Sequence, residues 1–352
     1  MNAPMPLPVI PAGAQTSRSI FAGDIPEGLL NHIRAHVVEY GMPVTQHDAI
    51  LQVDYIQSKV QFQVTSGQFE VVIAAPDATA LYQTREAVIY LLDHVFPDAS
   101  AQMVWSGEDL PTPYPPNFQI GRVLSVRRVT ANFLRVTIKC PNLDQLASGA
   151  MHFSLLIPPD DRPAVWPTLN EKRRTVWPTG KDQLHRAAYT FVAFDHRSGS
   201  FSFDIFEHAG GHTMQWAQSA LPGAIVGVMG PGGGDFPTAD DLLIAGDETA
   251  LPAIRRILEN APETTTGQAI IEVGDAADIH ELQKPKGISV KWLLRPNSES
   301  LSKSLSQITH IADETFVWLA AERDLVRKAK ADLIEKGASR AASYFSGYWT
   351  NN

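Results

Sequence analysis

The sequence predicts a multi-domain protein with an N-terminal α+β module, an antiparallel β-barrel and a C-terminal parallel α/β domain. Three observations predict it. Up to residue 109 the order is helix, hairpin, helix, as in a small α+β sandwich. Between residues 118 and 238, short apolar runs recur between turns rich in Gly and Pro, the pattern of a small antiparallel barrel. From Asp240 onward, strand-like runs alternate with helical ones, as in a parallel sheet. A chain of 352 residues is long enough for two or three such domains.

The elements follow in order. The first residues, MNAPMPLPVIPAGAQ, have no basic n-region and are broken by prolines. They do not read as a secretory signal, and residues 1–16 are expected to be a disordered tail. In residues 17–109, Leu29, Leu30, Ile33, Val37 and Val38 recur at helical spacing. Phe62, Val64, Phe69 and Val71 flank Ser66-Gly67 as a β-hairpin, and Leu81, Val88, Leu91, Leu92 and Val95 mark a second helix. His32, His36, His47 and His94 are scattered through this module, and no metal site is expected from them. The run Pro111 to Pro116 makes residues 110–117 a stiff linker.

The barrel, residues 118–238, opens with a hairpin over Arg122 to Lys139 that turns at Thr130-Ala131-Asn132. Further strands are expected over Phe153–Leu156, Tyr189–Phe194, Phe201–Phe206 and Ile225–Met229. Between them, Arg162 to Leu184 is a long polar loop carrying Trp166 and Trp177, of a length usually functional or mobile. In residues 239–352 the expected strands are Leu242–Ala245, Ala269–Val273, Val290–Leu294 and Thr315–Leu319. The expected helices there are Ala250–Asn260 and Arg323–Lys336.

Composition narrows the function classes. Hydrophobic residues make up 44% and charged residues 19%, an ordinary globular balance. No apolar run approaches the roughly 20 residues that cross a bilayer, so no membrane insertion is expected. A net charge of -9 argues against a nucleic-acid or anionic-membrane partner held by bulk electrostatics. The single cysteine, Cys140, excludes an internal disulfide and a Cys-ligated iron–sulfur cluster. It reads as a packing residue at a strand end. The reducing cytoplasm is the expected location.

The most informative segment is Leu242 to Glu259. A buried-type strand breaks at Gly246, passes through Asp247-Glu248-Thr249 and enters a helix with Pro252 near its first turn. Thr249 is the expected N-cap. Such a turn presents backbone N–H groups to a phosphate. It is neither a GxGxxG fingerprint nor a P-loop, and every α/β protein has similar turns, so geometry alone also fits an ordinary connection.

The literal string from Gly246 to Ala253 (GDETALPA) does not stand alone. Tyr189-Thr190, His208 to Ala217 (HAGGHTMQWA), Gly230-Pro231-Gly232-Gly233 and Gly347-Tyr348-Trp349 accompany it. Together, in this order, they resemble the signature of the siderophore-interacting protein family, FAD-dependent ferric-siderophore reductases related to ferredoxin reductases. The resemblance covers about residues 116 to 352. The N-terminal module is similar to a small domain of unknown function sometimes joined to that family.

The resemblance implies that residues 118–238 form an FAD-binding barrel and residues 239–352 a Rossmann-like, NAD(P)H-binding domain. It places the ring of Tyr189 against the flavin and the Thr190 hydroxyl near its N5, the two residues closest to catalysis. It places the flavin pyrophosphate at Gly210, Gly211 and Thr213, with His208 and Trp216 in the same stretch. Gly246, Asp247, Glu248 and Thr249 would meet the nicotinamide cofactor at the strand end. Asp275, ending the second strand, favours NADH, with NADPH left open. Glu322 matches the family's fourth strand end. Tyr348-Trp349 would either cover the flavin or simply pack.

The chain departs from the family at several points. The arginines expected two residues before Tyr189 and two after Thr190 are Ala187 and Val192, Thr350 replaces an arginine after GYW, and His212 replaces a proline. Arg186 lies one residue early, on the opposite strand face unless a bulge re-aims it, and is the remaining candidate for phosphate. Ferric siderophores often carry negative charge. Lys172, Arg173 and Arg174 in the long loop are therefore candidates for the substrate mouth, as are Arg295, Arg323 and Arg327, although charge runs are usually a solvated face.

The implied reaction passes electrons from NAD(P)H through FAD to a ferric siderophore and frees Fe(II), with no protein ligand to iron. Two alternatives stand beside it: a non-catalytic siderophore or small-ligand binding protein, and a general NAD(P)H:flavin reductase. The sequence carries no mark of oligomeric state.

Overall fold

The computed structural model describes residues 13–39, 41–55, 57–106, 113–208, 210–295 and 299–351. Residues 1–12 of the expected tail and 110–112 of the expected linker lie outside them. The chain divides into two compact units, one holding the N-terminal residues up to 117 together with Trp166–Pro178, the other Phe118–Val165 and Thr179–Asn352.

The first unit begins with β1 (Gln15–Ala22), so the expected tail is too long by two residues. It continues through α1 (Leu29–Glu39), β2 (Val44–His47), β3 (Ile50–Tyr55), β4 (Ser58–Thr65), β5 (Gln68–Ala75), α2 (Ala78–Val95) and α3 (Pro97–Gln102). The strands form an antiparallel sheet in the order β1-β5-β4-β3-β2. β4 and β5 pair as a hairpin around Gly67, whose φ of +76° suits a glycine in the turn. Asp77 caps α2 by accepting the Ala80 N–H at 2.9 Å. The apolar stripes of α1 and α2 cover the sheet, burying Ile33, Phe62, Phe69, Val88 and Leu92. Val38 lies in α1 as expected but off its buried stripe, at 47% exposure.

The second unit opens with β6 (Phe118–Thr130), β7 (Phe133–Lys139), a short α4 (Leu143–Leu146) and β8 (His152–Ile157). The chain then contributes β9 (Thr168–Leu169) and β10 (Thr175–Val176), an antiparallel pair that belongs to the first unit. There Thr175 Oγ1 bonds the Tyr82 hydroxyl at 2.6 Å and donates to Glu86 at 3.0 Å. Arg174 pairs with Asp93 at 2.9 Å, and Lys172 donates to the Ala101 carbonyl at 2.7 Å. The expected barrel boundaries of 118–238 are therefore interrupted, because the polar side chains of this loop find their partners on α2 and α3. Lys172 and Arg174 hold that hairpin rather than standing out as a free cationic run.

Returning, the chain forms β11 (His185–Thr190), β12 (Ala193–Asp195), β13 (Ser200–Phe206), α5 (His212–Ser219) and β14 (Ile225–Gly232). The expected run Tyr189–Phe194 is thus two strands. All seven barrel strands form one curled antiparallel sheet, β11-β8-β14-β6-β7-β13-β12. Its core is aromatic, with Phe153, Phe191, Phe201 and Phe203 at 2% exposure or less. Cys140 is buried beside it, and burial pushes its thiol up to about 12, fitting a packing role.

The last part runs β15 (Asp241–Gly246), α6 (Leu251–Asn260), β16 (Thr266–Val273), β17 (Gly287–Leu294), α7 (Leu301–Ser306), β18 (Thr315–Glu322), α8 (Arg323–Glu335) and β19 (Ser343–Trp349). Its five strands are parallel, in the order β17-β16-β15-β18-β19. The sheet is buried on both faces, which is why β15 and β18 read as continuous apolar runs. Among the described residues no helix is long and apolar enough to cross a membrane.

Candidate functional site

β11 pairs with β8 in unbroken register, from His185 opposite Ile157 to Thr190 opposite His152. Successive side chains alternate faces. Ala187 therefore shares the face of Tyr189, whereas Arg186 lies with Thr190 on the other. No bulge in this pairing brings Arg186 round to the missing arginine's place.

Tyr189 packs against Phe203, with ring centroids 4.9 Å apart. Its hydroxyl is hydrogen-bonded to Thr213, although burial still holds the phenol above its ordinary range. Thr213 Oγ1 lies 2.9 Å from His185 Nε2, and the His185 ring stacks on His212 at 4.2 Å. Burial, and then the neighbouring His212, lower the His185 pKa. A line of polar contacts thus joins the strand aromatic to the first turn of α5.

α5 starts behind Gly211 with no side-chain cap, as the Gly-rich stretch predicts. Gly210 has φ +83°, and a β-carbon on Gly211 would come within 2.8 Å of the His208 ring. The loop therefore needs glycine at both positions. A cavity of about 390 Å³ lies here, lined by His208, Gly210, Gly211, Met214 and the polar Glu207, Gln215 and Gln218. Arg128 offsets the Glu207 charge at 2.6 Å. Trp216 is half-buried against the barrel core.

At the end of β15, Gly246 is forced by close packing, since a β-carbon would sit 2.6 Å from that of Ala250 and 2.8 Å from the Ala320 carbonyl. The acidic pair that follows is turned inward. Asp247 is 4% exposed; its Oδ1 accepts the backbone N–H and the hydroxyl of Thr249 at 2.9 and 2.5 Å. Burial raises the Asp247 pKa, opposed by these bonds. The N-cap of α6 is consequently Ala250, not Thr249, whose hydroxyl already serves Asp247.

Glu248, 3% exposed, accepts the Gly274 N–H at 2.6 Å and both terminal nitrogens of Arg295 at 2.9 and 2.6 Å. Arg295 also donates from Nε to Glu272 at 3.0 Å, and Glu272 accepts the Leu301 N–H at 2.6 Å. Three strand ends and α7 are thereby laced together. The guanidinium fork of Arg295 is committed to this lacing, which weakens its candidacy as a substrate residue. Asp275 turns back to accept the Ala277 N–H at 2.9 Å and an amide N–H of Asn132 at 3.3 Å. Glu322 caps α8 through the Leu325 N–H at 2.8 Å. Arg323 and Arg327 are exposed on α8, Arg327 beside Asp324 at 3.5 Å.

The GYW segment is β19, the edge strand beside β18. Trp349 donates its indole N–H to Asp247 Oδ2 at 2.7 Å. The Tyr348 hydroxyl lies 3.2 Å from Nε2 of His152, whose Nδ1 lies 3.1 Å from Thr190 Oγ1. His152 is 8% exposed, and burial brings its pKa down to about 4. Sequence reasoning missed His152: a lone histidine opening a strand gives no spacing signal, and its partners are 38 and 196 residues away.

Residues 122–235 match the siderophore-interacting FAD-binding domain, and residues 239–352 match the siderophore-interacting protein family. The NADPH-dependent ferric-chelate reductase of Escherichia coli is 31% identical over 234 residues, 63% of this chain and 91% of that protein. The chain belongs to the siderophore-interacting protein family. Ferric vibriobactin reductase ViuB of Vibrio cholerae is 30% identical over 63% of this chain and 85% of its own. Among solved structures, a siderophore utilization protein from T. fusca superposes with TM-score 0.59 at 31% identity, covering 68% of this chain and 95% of that one. The siderophore-interacting protein SipS from Aeromonas hydrophila gives TM-score 0.55 at 21% identity, over 67% and 99%, a likeness of fold. These matches fit the ferredoxin-reductase-like build read from the sequence, a curled antiparallel sheet followed by a parallel one.

Within a siderophore-interacting protein, the residues around α5 fit the diphosphate of FAD. The helix start is uncapped, Gly210 takes a left-handed backbone angle, a β-carbon on Gly211 would crowd His208, and Thr213 and His185 add polar groups beside it.

Proposed function

We propose that this siderophore-interacting protein is a ferric-siderophore reductase that takes electrons from NADPH or NADH through FAD and releases Fe(II) in the cytoplasm. The observation that carries the reading is the bonded line Tyr189–Thr213–His185, which links the strand aromatic to the uncapped, glycine-opened helix start. FAD, when bound, supplies the conversion of a two-electron hydride donor into single electrons.

The remaining work falls to side chains and backbone. Gly210, Gly211 and the first N–H groups of α5 hold the diphosphate, with Thr213, His185 and His208 beside them. Arg186 is kept as a phosphate partner only from the opposite strand face. Tyr189 and Thr190 orient the isoalloxazine. The turn from Gly246 to Thr249 presents backbone to the pyridine nucleotide, while Asp247 and Glu248 shape that turn from within. Arg323 and Arg327 face an anionic siderophore, with Arg295 as a support for Glu248. The siderophore's oxygen donors hold Fe(III) far more firmly than Fe(II), so reduction itself loosens the iron. Each NAD(P)H reduces two Fe(III) and leaves NAD(P)⁺ and one proton.

Ala187 and Val192, in place of two arginines, favour as a second reading a binding protein with little flavin. One experiment separates the readings: anaerobic stopped-flow mixing of FAD-loaded protein with NADPH or NADH, then with a ferric siderophore and an Fe(II)-specific chelator. Flavin bleaching followed by Fe(II) formation supports the reductase. Protein that stays colourless with added FAD supports the binding role. Turnover with free flavin but not with ferric siderophore supports a general flavin reductase.

A further inference from the structure

We propose that His152 is a positioning residue: its ring couples Thr190 to Tyr348, so that its tautomer sets whether the Thr190 hydroxyl donates or accepts a hydrogen bond. The inference rests on the reading that Thr190 meets the flavin.

The geometry leaves His152 few choices. Its ring lies between Thr190 Oγ1 at 3.1 Å on Nδ1 and the Tyr348 hydroxyl at 3.2 Å on Nε2. Gly233 closes one side, since a β-carbon there would sit 2.5 Å from the ring. Tyr348 stands edge-on to the ring, with centroids 5.9 Å apart, and its hydroxyl bonds onward to Tyr344. A buried imidazole with both nitrogens engaged holds one N–H and one lone pair.

Two arrangements satisfy this chain. In the first, Thr190 donates to Nδ1, Nε2–H donates to Tyr348, and Thr190 has only lone pairs left for a third group. In the second, Tyr348 donates to Nε2, Nδ1–H donates to Thr190, and the hydroxyl proton of Thr190 is available to a third group. Flavin N5 changes in the same sense, carrying an N–H when reduced and a bare lone pair when oxidised. The first arrangement suits the reduced cofactor and the second the oxidised one.

The same chain accounts for the proton. A hydride brings two electrons and one proton. The two electrons leave for two Fe(III), and the proton remains. Passing it to Thr190 while Thr190 gives its own proton to Nδ1, Nε2 gives its proton to Tyr348, Tyr348 gives its proton to Tyr344 and the half-buried Tyr344 releases its own to solvent converts the first arrangement into the second. Every atom ends with its ordinary valence, and one proton has moved outward.

The test uses the full-length protein labelled with ¹⁵N-histidine, loaded with FAD and observed oxidised and reduced. The expected result is a His152 ring that changes its protonated nitrogen between the two states. In parallel, Y348F is expected to bind FAD as wild type but to oxidise more slowly with ferric siderophore, by at least about tenfold. Its solvent isotope effect should fall toward unity, and H152F should behave alike. A His152 that keeps one tautomer in both states, or a Y348F with wild-type rate and isotope effect, overturns the proposal while leaving the reductase reading intact. A wild-type protein that binds no FAD overturns the reading beneath it, and the proposal with it.

Discussion

Trp349 donates its indole N–H to Asp247, tying the last residue of the edge strand to the turn that follows the first strand of the parallel sheet. The same carboxylate closes the turn through Thr249. One buried aspartate therefore fixes both the Gly246–Thr249 turn and the GYW segment.

Replacing that carboxylate separates its geometric role from a charge role. D247N keeps the shape but offers an N–H where Trp349 also donates, and D247A leaves both partners unpaired. A loss of about 2–3 kcal/mol is expected for D247A and somewhat less for D247N. The urea midpoint at constant m-value measures it, and unchanged midpoints would contradict the assignment.

Arg295 is a substrate candidate by sequence, but its nitrogens are held by Glu248 and Glu272. R295A is expected to lower stability by about 3 kcal/mol, toward the low end for broken buried pairs because the guanidinium is partly exposed. The KM for ferric siderophore should stay near wild type, whereas R323A and R327A raise it. A raised KM for R295A with an unaltered melting temperature would return it to the substrate mouth.

His152 gives stability a pH dependence. Its folded pKa, about 4, lies below the ordinary 6.5, so the unfolded chain binds the extra proton first. The contribution is complete above pH ~6.5 and is lost as pH falls toward 4, reaching at most about 3 kcal/mol. H152F should flatten that part of the profile, which urea titrations between these limits would reveal.

Ala187 lies on the Tyr189 face, at the position where the sequence resemblance implies an arginine. A187R is expected to tighten FAD binding by roughly tenfold through a charge-assisted contact. In the native chain, His185 stands on the same strand face, so FAD should bind more tightly as pH falls and His185 gains charge, below the ordinary imidazole range because burial lowers its pKa. Fluorescence titrations at several pH values test both, and A187R should lessen the slope.

Much of this was legible because it depends on local pattern. The hairpin at Gly67, the continuous apolar run of β15 and the glycine-opened α5 each follow from neighbours in sequence. What escaped depends on distant partners. β19 has no alternation because, as a half-buried edge strand, it hides neither face fully. Thr249 reads as a cap until Asp247 claims its hydroxyl. Arg295 reads as a solvent cation until a strand residue 23 positions earlier and a turn residue 47 positions earlier supply its carboxylates.

The hairpin at residues 168–176 makes the two halves of this polypeptide inseparable as pieces of text. A shortened chain starting at Phe118 would look like a clean excision of the reductase, yet it would strip Thr175, Arg174 and Lys172 of Tyr82, Glu86, Asp93 and Ala101. The N-terminal module is thus no detachable prefix. Grafting or trimming it calls for cutting at three places in the gene, not one.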